Sequence, residues 1–126
     1  IESISGGVPL GNAARERGII EPDETTEDLF RRARRGELQA AECIRGAGEC
    51  LGRVLAGLVH TLDPECIVAG GSVGIQPEYL AAINAALEAT LMPAWRSVRA
   101  VPAQLGTDAG LIGAGLCALD EISRGG

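Results

Sequence analysis

The feature that most constrains the fold is a long helical pattern that starts at Glu37 and stops before Asp63 and Pro64. Apolar or small residues recur there every three or four positions, as on one face of an α-helix. These residues are Ile44, Gly48, Leu51, Leu55, Leu58 and Leu62. Glycines also occur at positions 46, 48, 52 and 57. Because each costs about 1 kcal/mol relative to alanine in an exposed helix, they indicate close approach of another backbone. We therefore predict a central, buried helix.

The composition agrees with close packing of helices. Apolar residues make up 46% of the 126 positions, yet Phe30, Tyr79 and Trp95 are the only aromatic ones. All 11 basic residues are arginine, which excludes lysine-dependent P-loop and Schiff-base chemistry. The net charge of -6 argues against a nucleic acid or an anionic membrane surface as the main partner.

The four cysteines favour a reducing, cytoplasmic location. Cys43, Cys50, Cys66 and Cys117 form no C-x-x-C pair and lie in apolar stretches, where cysteine acts as a small hydrophobic residue. His60 is the only histidine, and we expect it at the boundary of the core rather than in a zinc site. No apolar run approaches the length that spans a bilayer.

Two short helices are expected before the long one. The first would run from Asn12 to Arg17, and the second would begin at a capping box formed by Thr25 and Asp28. The second contains an arginine run at residues 31–35 with acidic residues on both sides. We interpret this run as a solvated, salt-bridged helix face rather than a nucleic-acid site.

Shorter patterns predict two strands after the long helix. The apolar run Cys66 to Ala69 is typical of a buried parallel strand, and a second strand should lie near Val98 to Val101. An amphipathic helix from Pro77 to Leu91 would join them. A last helix would carry Ile112, Leu116, Leu119 and Ile122 on one face. Two strands form a marginal sheet, so we expect further strands from elsewhere.

The turns that follow the two strands are the candidate ligand site. Gly70, Gly71 and Ser72 directly follow the first strand, and glycine lets a ligand approach the backbone. Because Ser72 replaces a glycine, the G-x-G-x-x-G dinucleotide motif is absent, and a plain tight turn is the alternative. Thr107 and Asp108 precede the last helix, either as a cap or facing an anion or ribose. Parallel strands would place both turns at one crevice.

The sequence LDPECIVAGGSV at residues 62–73, followed by GTDAGLIGA at 106–114, resembles the C-terminal half of the ROK family. This family groups bacterial sugar kinases with sugar-responsive repressors. The resemblance implies that residues 1–126 are the C-terminal part of an actin-like ATPase or sugar-kinase (ribonuclease H-like) domain, a helix-rich α/β fold with few strands. The lobe with the phosphate loop, the catalytic aspartate and the zinc cluster would lie upstream.

The resemblance also implies roles for individual residues. Glu2 matches a glutamate that hydrogen-bonds the hydroxyls of the sugar. The residues expected to contact ATP are Gly70, Gly71, Ser72, Asp108 and Ala109. Magnesium would accompany ATP in the complete protein, and zinc would be held by ligands outside this chain.

By the same resemblance, the expected function is that of an ATP-dependent hexose kinase of the glucokinase type. The alternative is the effector-binding segment of a sugar-responsive transcriptional repressor. Because the base and the phosphate loop would lie outside it, the chain alone is not expected to be active. Its expected partners are a sugar, a nucleotide, a second copy and the upstream part of the same protein, with neither membrane nor nucleic acid. The identity of the sugar and of the phosphoryl donor stays open.

Overall fold

A computed structural model describes residues 6–124, which form a helix-rich α/β arrangement with a small parallel sheet. The helices are α1 (Gly7–Glu16), α2 (Thr26–Arg34), α3 (Leu38–Leu62), α4 (Gly71–Gly74), α5 (Pro77–Thr90) and α6 (Ala109–Arg124). The strands are β1 (Ile67–Ala69) and β2 (Ala100–Pro102), and 3-10 turns cover Pro93–Trp95 and Gly106–Asp108. The predicted helices and strands occur in the predicted order, but α1 begins five residues before Asn12 and α4 forms where a glycine turn was expected. The prediction that the first strand is buried is wrong, since Val68 in the middle of β1 is 63% exposed.

The core is built where α3 lies along α5. A Cβ added at Gly48 would lie 2.7 Å from the Cβ of Ala82, and one added at Gly52 would lie 2.6 Å from the carbonyl oxygen of Ile83. Both distances are shorter than real Cβ contacts allow, so the two helices approach as closely as glycine permits. The predicted close approach of another backbone is confirmed at these two positions.

The buried stripe of α3 differs from the predicted one. Its members are Ala40, Cys43, Ile44, Gly48, Gly52, Ala56 and Val59. Leu58 is 47% exposed and Leu62 is 70% exposed, so the prediction that they face the core is wrong. A Cβ added at Gly46 or at Gly57 would meet no atom within 4 Å, so these two glycines mark no close contact with another helix. Small residues four positions apart form the ridge of α3 that packs on α5. Leu58 and Leu62 lie on another face of the helix, outside this ridge.

Helix α2 begins with the predicted capping box. The Asp28 backbone N–H donates to the Thr25 hydroxyl at 3.4 Å, and the Thr25 backbone N–H donates to the Asp28 carboxylate at 2.9 Å. The arginine run is a salt-bridged face, as predicted: Arg32 pairs with Glu24 at 2.7 Å, and Arg34 pairs with a glutamate at the start of α5.

Acid is expected to weaken this region. The Thr25 backbone N–H holds the pKa of Asp28 below its ordinary value, and hydrogen bonds from Glu21 N–H and Arg32 lower the pKa of Glu24. A carboxylate whose pKa is lower in the folded state than in the unfolded state stabilises the protein when the pH is above its unfolded-state pKa. This stabilisation is lost as the pH falls through the folded-state pKa. The unfolding temperature, followed by circular dichroism, should therefore drop between about pH 5 and pH 3. In Asp28→Asn the drop should be shallower; an identical profile would contradict this explanation.

The parallel sheet pairs Ile67 with Ala100 and Ala69 with Pro102. On the side of β2 away from β1, the Asn84 side chain of α5 satisfies both backbone groups of Ala100. Its amide nitrogen donates to the Ala100 carbonyl at 2.9 Å, and its oxygen accepts from the Ala100 N–H at 2.8 Å. Asn84 therefore closes this edge of the sheet at Ala100.

Helix α6 forms where the sequence predicts it, but its apolar face is exposed. Leu111, Ile112, Leu116, Leu119 and Ile122 range from 39% to 78% exposed. No helix within residues 6–124 is long and apolar enough to cross a membrane.

Candidate nucleotide-binding site

The turn between β1 and α4 has a backbone that requires glycine at one position. Gly71 has a φ of +77°, a left-handed conformation that side chains other than glycine rarely adopt, whereas Gly70 is extended. A Cβ at Gly71 would meet nothing within 4 Å, while one at Gly70 would make an ordinary 3.8 Å contact with Ala103. The backbone of Gly71 thus lies beside open space.

The structure brings the two predicted turns to the same edge of the sheet. Because β1 and β2 are parallel, the turn at Gly71–Gly74 and the 3-10 turn at Gly106–Asp108 follow the carboxyl ends of adjacent strands, and they pack against each other. Ser72 and Asp108 are exposed here, and Ala109 begins α6. Open α/β sheets bind ligands at this edge.

A cavity of about 580 Å³ lies beside this turn. It is bounded by the N-terminal ends of α1 and α2 and by the Ser72 side of α4, with Gly7, Thr26 and Phe30 in its wall. A second cavity of about 380 Å³ shares Gly7, Ser72 and Val73 with the first, and Gly70, Gly71 and the residues of β1 line it. The contribution of α1 and α2 was not predicted, and the capping box at Thr25 was its only signal in the sequence.

The α1–α2 side of the cavity is held together by hydrogen bonds. The Thr26 hydroxyl donates to the Gly7 carbonyl at 2.6 Å, and the Arg15 guanidinium donates to the Glu24 carbonyl at 2.7 Å and to the Asn12 side chain at 2.9 Å. These contacts use three of the five N–H donors of Arg15 and hold the guanidinium in the cavity wall.

Metal ions fit the described residues poorly. Between residues 6 and 124, no group of three or more His, Cys, Asp or Glu side chains is arranged to hold a metal ion. His60 is half-buried and packs edge-to-face on Trp95, with ring centroids 5.1 Å apart. A four-ligand zinc site is therefore absent from residues 6–124. Glu2, the expected sugar ligand, lies outside the described residues.

The fold and this turn define a helix-rich α/β protein with a ligand-accessible glycine turn at the carboxyl edge of parallel strands. A model of the ROK family matches residues 2–121. The chain belongs to the ROK family.

Relatives and solved structures agree with this assignment. The chain is 35% identical over 122 residues to an N-acetylmannosamine kinase of Escherichia coli O1:K1 / APEC, covering 97% of this chain and 40% of that protein. A ROK hexokinase from Thermus thermophilus superposes with a TM-score of 0.76 at 30% identity, covering 98% of this chain and 41% of that one. A ROK glucokinase from Streptomyces griseus, in complex with glucose and AMPPNP, gives a TM-score of 0.75 at 26% identity over 90% of this chain and 42% of that one. The chain thus spans about 40% of the length of these relatives.

Proposed function

We propose that the chain is the C-terminal part of an ATP-dependent sugar kinase and contributes its adenosine-binding turn. In this proposal the fold is the C-terminal part of an actin-like ATPase (ribonuclease H-like) domain. Gly70, Gly71 and Ser72 lie against the adenosine, and the turn that ends at Asp108 and Ala109 closes the same crevice. Glu2 would contact the sugar.

The observation that carries the proposal is the open space at Gly71. A Cβ added at Gly71 would meet nothing within 4 Å, and Gly71 lines the cavity of about 380 Å³, which shares Gly7 and Ser72 with the cavity of about 580 Å³. Thr25, Thr26, Ser72 and Gln76 place neutral polar side chains in the wall of the larger cavity, which can pair with the polar edges of a nucleoside. A flat base can enter between α1, α2 and α4 without displacing a side-chain ion pair.

The named relatives support a sugar as the second substrate. They include N-acetylmannosamine kinases, a hexokinase and a glucokinase, and one was solved with glucose and AMPPNP, an analogue of ATP. The proposed reaction joins a sugar hydroxyl oxygen to the γ-phosphorus of ATP, breaks the bond to the bridging oxygen and releases ADP. The hydroxyl proton passes to a base. That base, the phosphate-binding loop and magnesium would belong to residues outside this chain.

The exposed face of α6 fits a role as part of a larger assembly. Its apolar side chains would otherwise leave a large patch in water, which is unusual for a soluble monomer. We propose that this face packs against other residues of the same protein, and that the complete kinase is a homodimer in the cytoplasm.

Calorimetry on the 126-residue chain tests the nucleotide proposal. We expect ATP to bind with a dissociation constant within about 1 μM to 1 mM, the usual range for substrates, and adenosine to compete with it. Inorganic tripolyphosphate is the matched control and should not compete, since in this proposal the chain contacts the adenosine and the phosphate-binding loop lies outside it. Competition by tripolyphosphate but not by adenosine would contradict the proposed adenosine site.

A further inference from the structure

The carbonyl of Ser72, in the middle of the candidate nucleotide turn, is held by a side chain from the next element. The Gln76 amide nitrogen donates to this carbonyl oxygen at 2.8 Å. Gln76 also lies in the wall of the same cavity as Ser72. A single side chain therefore contacts both the space proposed for adenosine and the backbone that shapes it.

A second contact fixes the orientation of the Gln76 amide. Its oxygen accepts from the Arg34 guanidinium at 2.6 Å, so the amide nitrogen must face Ser72. The flipped amide would place two sets of donors against each other. Arg34 is itself held by Glu78, whose carboxylate accepts from the guanidinium at 2.6 and 3.2 Å.

The hydrogen bonds that link Arg34, Gln76 and Ser72 connect two walls of the cavity. Arg34 is the last residue of α2, the helix that places Thr26 and Phe30 in the cavity wall, whereas Ser72 belongs to the opposite wall. Two consecutive hydrogen bonds, from Arg34 to Gln76 and from Gln76 to the Ser72 carbonyl, connect these two walls.

The turn has little to fix it by itself. Helix α4 is four residues long and is bounded by glycines, the residue type with the greatest backbone freedom. The backbone hydrogen bond from Ile75 N–H to the Gly71 carbonyl is long, at 3.4 Å, while that from Gln76 N–H to Val73 is 3.0 Å. The hydrogen bond from Gln76 to the Ser72 carbonyl therefore reduces the number of conformations that the turn adopts.

We infer that Gln76 is a positioning residue for the nucleotide: it holds the Ser72 carbonyl so that the glycine turn keeps the shape that accepts adenosine, and Arg34 sets the direction of its amide. This inference rests on the proposed function. It assigns to Gln76 and Arg34 an effect on nucleotide affinity, although Arg34 does not line the cavity.

The test compares Gln76→Ala and Gln76→Glu with wild type in the full-length protein that contains this chain. Glutamate keeps an acceptor for Arg34 but has no donor for Ser72, so both variants should raise the KM for ATP about fivefold, the effect of one lost hydrogen bond. The KM for the sugar and kcat should stay within about twofold, since neither sugar nor phosphate contacts this turn in the proposal.

Arg34 variants and a surface control complete the experiment. Arg34→Ala should also raise the KM for ATP, and the double variant Arg34→Ala with Gln76→Ala should do little more than Gln76→Ala alone, because the two act through one carbonyl. Arg45→Ala removes an exposed salt bridge on α3 and should leave the KM for ATP unchanged.

Two results would overturn the inference. The first is an unchanged KM for ATP in both Gln76 variants of a wild-type protein that does bind ATP, which would leave the proposed function intact. The second is an equal rise in the KM for ATP and the KM for the sugar in the Gln76 variants, together with a lower unfolding temperature. That result would indicate that Gln76 has a general structural role. A wild-type protein with no ATP affinity would instead overturn the proposed function and this inference together.

Discussion

Replacing Gly52 by alanine is expected to destabilise the protein by about 2 kcal/mol, even though alanine favours helix more than glycine does. The new Cβ would lie 2.6 Å from the Ile83 carbonyl oxygen and 2.7 Å from the Cβ of Ala86. The carbonyl belongs to the backbone of α5, so relief requires the two helices to separate along their whole contact. Overpacking of this kind costs about 1–3 kcal/mol or more, which exceeds the gain of about 1 kcal/mol in helix propensity.

The same substitution at Gly46 is the matched control. Gly46 lies on the same helix, less than two turns away, and a Cβ there meets nothing within 4 Å. Gly46→Ala should therefore stabilise the protein by up to about 1 kcal/mol. Urea unfolding of both variants gives the two free energies. Equal effects at the two positions would contradict the close packing of α3 on α5.

The second large effect is expected at Gly71. Gly71→Ala should weaken ATP binding more than tenfold, because alanine costs about 1–2 kcal/mol at a φ of +77° and its methyl group occupies the space proposed for adenosine. The turn can relieve this strain only by changing the backbone shape that the nucleotide contacts. Calorimetric titration with ATP measures the loss.

Gly18→Ala separates backbone strain from binding. Gly18 follows α1, has a φ of +65° and likewise has no atom within 4 Å of an added Cβ, but unlike Gly71 it lines neither cavity. Both variants should lose similar stability, while only Gly71→Ala should lose ATP affinity. Equal ATP affinity in the two variants would contradict a nucleotide site at Gly71.

Local signals explain why most elements could be predicted. The capping box of α2, Pro77 at the start of α5 and the glycines after β1 act within one turn of the chain. The face of α3 could not be predicted in the same way. A hydropathy pattern assigns Leu58 and Leu62 to the buried face because they are the most apolar residues. The contact with α5 instead requires small residues at Gly48 and Gly52, and the residues they contact lie about 30 positions away in sequence.

The residues of the candidate site likewise fall into those that local sequence signals predict and those that depend on packing between distant helices. The glycine turn directly follows β1, and the turn at Asp108 begins a few residues after β2. Both were predicted because parallel pairing of the strands brings them together. Thr26 and Phe30 were missed because their side chains reach the cavity through the packing of α2. The roles of Glu2, Gly70, Gly71, Ser72, Asp108 and Ala109 toward substrates stay predictions.

An assay of phosphoryl transfer by the full-length protein tests whether the protein is an ATP-dependent sugar kinase. The purified protein is incubated with magnesium ATP and a panel of hexoses and N-acetylhexosamines, and both ADP and the sugar phosphate are quantified by mass spectrometry. We expect equal amounts of ADP and sugar phosphate for at least one sugar, and loss of both products in Gly71→Ala at limiting ATP. A folded protein that forms no phosphate ester with any sugar in the panel would contradict it, and sugar binding without transfer would favour the repressor alternative.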